Sequence, residues 1–301
     1  MQALWMLLGA LLFATMGVCV KLAAAEFTTA ELVFYRGVVS TSVIWLVTRF
    51  QGVPLRSAVP GMHAWRSLIG NLSLAAWFFS IGALPLATAM TLNYTSSMWM
   101  AVWLAGLAWL GRKEKPPPIA LVVSVAISFG GVVLVLRPTF AQNQWIAALF
   151  GLASGITAAM AYLQVAALGR AGEPESRTVF YFALGSAALG LVGMLFTGVT
   201  PWTAANWYAA RWLPPVGVLA AFGQLCMTRA YSLGATMLVA NLQYSAIVFS
   251  ALFSLTLFGD QIPSLGWLGM ALIIGSNVIG TSLRLRKTRA GPEPSTPEVK
   301  A

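Results

Sequence analysis

The sequence predicts an all-α membrane protein: ten transmembrane helices forming two inverted five-helix repeats, with both termini in the cytoplasm. Three observations predict it: ten long apolar runs, a one-sided distribution of basic residues, and an internal duplication. A span needs ~20 mostly apolar residues. Runs of that kind lie near 3–25, 29–49, 65–83, 86–110, 118–137, 144–168, 178–198, 213–232, 235–258 and 263–283. Hydrophobic residues make up 58% of the chain and charged residues only 9%, against the ~25% charged that is usual in soluble domains.

The first run is read as a permanent helix. Met1 and Gln2 supply no basic stretch before it, and it is too long for the core of a cleaved signal. Cys19 and Cys226 both fall inside spans, so a disulfide framework or a thiolate metal site is not expected.

The net charge of +10 is distributed by side. With a cytoplasmic N-terminus, fourteen of the 18 Lys and Arg residues fall in inner loops and the tail, among them Arg49, Arg66, Arg112, Arg170, Arg177 and Arg229. The outer side receives only Lys21, Arg36, Arg137 and Arg211. This is the positive-inside pattern. The basic charge therefore reports topology, with membrane lipids as its partners and no nucleic acid.

A shift of 148 residues sets Ala87-Thr88 on Ala235-Thr236, Asn93 on Asn241 and Gly111 on Gly259. Val33-Phe34-Tyr35 matches Val179-Phe180-Tyr181 at a shift of 146. Five helices are an odd number, so the second copy enters the membrane from the opposite face. That inverted arrangement recurs among secondary transporters, with the substrate near the midplane. The expected units are 1–138 and 139–283, followed by a basic, then disordered tail at 284–301.

Four runs carry a family resemblance: G-A-L-L-F-A-T-M-G-V-C-V-K ending at Lys21, F-Y-R at 34–36, R-A-Y-S-L-G-A-T at 229–236, and L-F-G-D-Q-I-P at 257–263. Over residues 3–283 the chain resembles the drug/metabolite transporter superfamily, EamA type. Arg112 departs from the pattern, standing where that family usually has an acidic residue, as Asp260 does in the second half. The resemblance implies a carrier without ATP hydrolysis that moves small organic metabolites. Members export amino acids and their derivatives, and some take up vitamins such as flavins. An inner-membrane location follows from the same resemblance, and a homodimer is compatible with it.

Polar side chains inside spans are costly and mark function. Spacing i, i+3, i+4 puts Asn93, Ser96 and Ser97 on one helix face, beside Tyr94. The related face in the second half carries Asn241, Tyr244 and Ser245, beside Gln243. Two facing stripes of amides and hydroxyls suit a polar or zwitterionic solute, although such groups also bond packed helices together. Gln224, Trp77 and Tyr162 are placed to complete the lining, the two aromatics as part of a stacking wall with Tyr94 and Tyr244. Lys21, near the end of the first span, and Arg36, one turn into the second, are expected either to meet a substrate carboxylate at the outer mouth or to pair with Glu31 or snorkel. The single histidine, His63, is expected in an inner loop. No acid falls at mid-depth, which favours facilitated diffusion or exchange over a proton relay. No catalytic constellation, phosphate-binding loop, metal site or cofactor motif is present in the chain.

Overall fold

Thr28 opens α2 by accepting a hydrogen bond from the Glu31 backbone N–H at 3.3 Å, and Glu31 reciprocates on the Thr28 backbone N–H at 2.8 Å. This capping box satisfies two donors that the first turn would otherwise leave unpaired. Gly52 ends the same helix in the left-handed region, at φ 65°. The computed structural model describes residues 2–109, 144–203, 206–233 and 242–289, together with isolated positions 123, 127, 130, 131, 134 and 239. In chain order the helices are α1 (Gln2–Ala23), α2 (Thr29–Gln51), α3 (Pro60–Ala83), α4 (Leu86–Tyr94), α5 (Ser96–Trp109), α6 (Trp145–Arg170), α7 (Glu175–Thr197), the short α8 (Trp207–Ala210), α9 (Leu213–Leu233), α10 (Ser245–Leu257) and α11 (Ser264–Arg289). Among the described residues there is no strand.

Four of these helices are each long and apolar enough to cross a bilayer: Leu4–Ala23, Thr29–Gln51, Trp145–Arg170 and Glu175–Thr197. Their outward faces carry bare apolar side chains, such as Phe50 and the stripe Leu191, Val192, Leu195 on α7. A multi-pass membrane protein needs such a face, because lipid takes the place of water there.

The helices depart from the predicted spans at four places. The third span starts at Pro60 instead of residue 65, because Pro at the first helical position is already set to the helical φ. The fourth span, expected unbroken over 86–110, is interrupted at Thr95, whose hydroxyl turns back to donate to the Leu92 carbonyl at 2.6 Å. In the region expected as 235–258, Gln243 and Tyr244 form a turn and the described helix starts at Ser245. The last helix runs on to Arg289, so the first residues of the predicted tail are helical. The 118–137 span, apart from isolated helical positions, lies outside the described residues, as do Arg112, Asn241 and the tail from residue 290.

Packing is set by backbone approach. On α2 and α7, a methyl group on Gly37 would overlap the Ala187 backbone, and one on Gly190 would overlap the Phe34 backbone. Small residues at a crossing let two helices touch where lipid offers no hydrophobic drive between them. Further contacts join α1 to α9, α3 to α6, α2 to α9, α3 to α7, α1 to α10, α6 to both α4 and α5, and α4 to α10. Gly190→Leu should therefore destabilise the purified protein by more than the ~1–3 kcal/mol typical of core overpacking. A thermal unfolding curve matching the parent's would contradict this packing.

Candidate functional site

Along α3, one face from Arg66 to Trp77 turns to the interior. Arg66 is 3% exposed and Trp77 7%, whereas Leu68 and Leu72 between them point outward. With Gly70, Ser73 and Leu74 they meet α4 at Asn93 and Tyr94, α6 at Ala158, Ala161 and Tyr162, α7 at Phe182, α9 at Gln224 and α1 at Phe13, around one void. The stretch covers about 16 Å of the length of α3 at 1.5 Å per residue. The void measures about 40 Å³, room for about three waters, so the site is contracted in this conformation.

Its walls are tied by cross-helix hydrogen bonds. Asn93 Nδ2 donates to Ser154 Oγ at 2.9 Å, and Ser73 Oγ donates to the Ser154 carbonyl at 2.8 Å. Gly155 permits this approach: a methyl group there would press on Thr95 Oγ1 and the Leu92 carbonyl at the α4–α5 break. On the other side, Tyr231 donates to Gln243 Oε1 at 2.9 Å and stacks on Tyr162 with ring centroids 5.5 Å apart.

Two arginines stand out. Arg36 is 1% exposed; its Nη1 donates to Ser186 Oγ at 3.0 Å, and Ser186 in turn donates to Asn71 Oδ1. Arg36 and Arg66 both lie over the Phe182 ring, at 5.1 Å and 4.2 Å from its centroid. Among the described residues neither has a carboxylate within ion-pair distance. Arg36 Nε, Arg66 Nε, Arg66 Nη1 and Trp77 Nε1 are buried donors that lack an acceptor.

The predicted site residues divide accordingly. Trp77, Asn93, Tyr94, Tyr162 and Gln224 come together on the void. Gln243 and Tyr244 are buried one layer behind it, among Tyr231 and its neighbours, and Ser96 and Ser97 are buried outside the lining. Ser245 is part-buried and donates to the Leu242 carbonyl at 2.7 Å. Arg36 lies two turns into α2 and turns inward, away from the outer mouth where it was expected.

Glu31 pairs with neither cation. Its carboxylate accepts from Thr28 and from the Thr200 backbone N–H at 2.7 Å, clamping the loop before α8. Lys21 instead meets Asp260 at 3.3 Å and the Leu84 carbonyl at 3.2 Å. Ser254 donates to the same Asp260 carboxylate at 2.6 Å. Arg66 was not anticipated as a site residue at all, and Phe182 and Ser186 gave no signal beyond lying within a span.

About 30 Å along α3 from Leu84 lies a second polar cluster. His63, expected in a loop, sits in the first turns of α3 at 2% exposure, with its Nε2 3.0 Å from Glu173 Oε2. Arg177 Nη1 donates to the same oxygen at 2.9 Å, and Ser57 Oγ donates to Oε1 at 2.8 Å. Arg177 Nε also reaches the Pro54 carbonyl, and Tyr181 the Leu55 carbonyl, so the loop after α2 is bound to α7. Burial pushes the Glu173 carboxyl up, but the hydrogen bonds from Ser57, His63 and Arg177 outweigh it and hold the group below the usual carboxylate range.

No family model matches the chain. It is 30% identical over 281 residues to an uncharacterized transporter of Helicobacter pylori (strain J99), covering 91% of this chain and 92% of that protein. It is 29% identical over 280 residues to the pseudopaline exporter CntI of Pseudomonas aeruginosa, covering 93% of each. A riboflavin transporter of Vibrio cholerae is 25% identical over 294 residues, with 95% of each chain covered. One crystal structure superposes with a TM-score of 0.69 at 19% identity, over 94% of this chain and 97% of that one, which shows a shared fold. These relatives are transporters and not enzymes, and they support a membrane transporter of small metabolites. The chain belongs to the drug/metabolite transporter superfamily.

Because the native carboxyl of Glu173 is held low, its stabilisation is present above its unfolded value and is lost as pH falls through the lowered native one. Glu173→Gln should cost about 1–3 kcal/mol at neutral pH. The gap between parent and variant in thermal unfolding should close in acid; a gap that does not change with pH would refute the assignment.

Proposed function

We propose that the chain is an inner-membrane secondary carrier that exports an amino acid or an amino-acid-derived metabolite by alternating access. One observation carries this reading: a void lined by Asn93, Gln224 and aromatic rings lies between two polar closures set about 30 Å apart along α3. A carrier needs a central site that is reached from one face at a time. The name of the Pseudomonas relative, an exporter, supports the direction.

Ten spans in two inverted halves, with both termini cytoplasmic, belong to the same proposal. The reciprocal packing supports it: α1 lies on α9 as α3 lies on α6, and α2 lies on α9 as α3 lies on α7. The interruptions at Thr95 and at Gln243-Tyr244 fall at related positions under the 148-residue shift. Both are local turns in which helical dihedrals are kept, and irregular turns at matching places in two halves are in keeping with a central site between them.

The two closures differ in strength. Lys21 and Asp260 are each about one-fifth exposed, and Asp260 takes one further donor, Ser254. Glu173 is nearly enclosed by three donors and ties more strongly. The outer end therefore opens at lower cost, as release to the outside requires. A second reading, uptake of a planar vitamin, draws on the rings of Trp77, Tyr94 and Tyr162 around the void and on the Vibrio relative's name.

Cells that overproduce the protein should lose one or a few small metabolites to the medium relative to cells that lack it. Matching metabolite profiles inside and outside both strains would overturn the proposal. For the exported solute, Asn93→Ala should lower apparent affinity about threefold to tenfold, the loss of one hydrogen bond.

A further inference from the structure

The transport reading leaves open what Arg36 and Arg66 are for. Two guanidiniums taken out of water beside one another are costly unless a counter-charge meets them. Among the described residues no carboxylate does so, and the ring of Phe182 beneath both repays only part of that cost. The unpartnered atoms here are all donors: Arg36 Nε, Arg66 Nε and Nη1, and Trp77 Nε1. Of these residues Arg66 and Trp77 line the void, and Arg36 lies over the Phe182 ring that they share a wall with; surplus N–H groups at a void fit a ligand rich in acceptors. Arg66 is also seated deliberately, since a methyl group on Gly70 would overlap its Nη1. Arg36 is held by the Ser186–Asn71 chain, which fixes its direction without neutralising it.

We infer that Arg66, with the charge of Arg36 beside it over the same Phe182 ring, receives an oxyanion group, a carboxylate or a phosphate, of the transported metabolite. The inference rests on the carrier reading and narrows it to solutes that carry a carboxylate or a phosphate. Guanidinium forks bind either group through paired N–H···O bonds. Asn93, Gln224 and the aromatic rings then meet the remainder of the solute.

The test uses the full chain in proteoliposomes preloaded with a deproteinised small-molecule extract of the overproducing cells. Released solutes are identified by mass spectrometry against protein-free vesicles. The expected result is release dominated by solutes bearing a carboxylate or a phosphate, and the released species show which of the two groups the pair takes. That release should fall at least tenfold in Arg66→Gln and in Gly70→Ala, with partial recovery in Arg66→Lys. If the parent protein releases only solutes that carry neither a carboxylate nor a phosphate, or Arg66→Gln releases the same solutes at the parent rate, the inference falls while the carrier reading stands. If nothing is released above protein-free vesicles, the carrier reading itself falls. The groups borne by the solutes that the parent releases decide the matter even if a variant fails to fold.

Discussion

Where α2 crosses α7, backbone meets backbone: Gly37 against Ala187, and Gly190 against Phe34. This crossing governs the interior. Arg36 stands next to Gly37 in the chain, so the close approach delivers its guanidinium to Ser186 and Phe182. Phe182 is then fixed as the common floor under Arg36 and Arg66. Through Ser186 the same contact orients Asn71 on α3. A wider crossing, as larger residues would impose, would pull the guanidinium off its partners and open the floor. Helix packing and the chemistry of the centre are thus set at one place.

The two ends of the bundle are closed by different means, and burial decides which tie is firmer. Lys21 and Asp260 share their pair with water, whereas Glu173 is held by His63, Arg177 and Ser57 with little solvent. Glu173 also gathers three pieces of chain distant in sequence: the loop after α2, the start of α3 and the start of α7. Releasing it means moving all three together. The short link between α3 and α4, Leu84-Pro85, makes those helices a tight hairpin on the other side, where the Leu84 carbonyl is also held by Lys21.

Much of the fold could be read from the sequence because lipid imposes a length and a composition on each span, and the runs near 3–25, 29–49, 144–168 and 178–198 stand close to the observed helices. Asn93, Tyr94, Trp77, Tyr162 and Gln224 could be found because polar and aromatic groups in such runs are conspicuous. Arg66 and His63 could not. His63 falls before the expected span and only the early helix start at Pro60 carries it inside, while Arg66, at the start of the span 65–83, was counted as a marker of topology. The same limit applies to Ser96 and Ser97. Helix spacing groups them with Asn93, but which part of that face meets the void depends on the neighbouring helices, and Ser96 and Ser97 are buried outside the lining. The pairing of Lys21 with Asp260, 239 residues apart, leaves no trace in local pattern.

Fixed cationic groups in a span also determine how a carrier feels the voltage across its membrane. A solute leaving as an anion carries negative charge outward, down the electrical gradient of a cell that is negative inside. Each elementary charge gains ~2.3 kcal/mol per 100 mV, and at ~1.36 kcal/mol per tenfold that sustains an outward accumulation of roughly fiftyfold. If the solute received beside Arg36 and Arg66 leaves with a net negative charge, resting voltage can supply that drive without a co-transported proton.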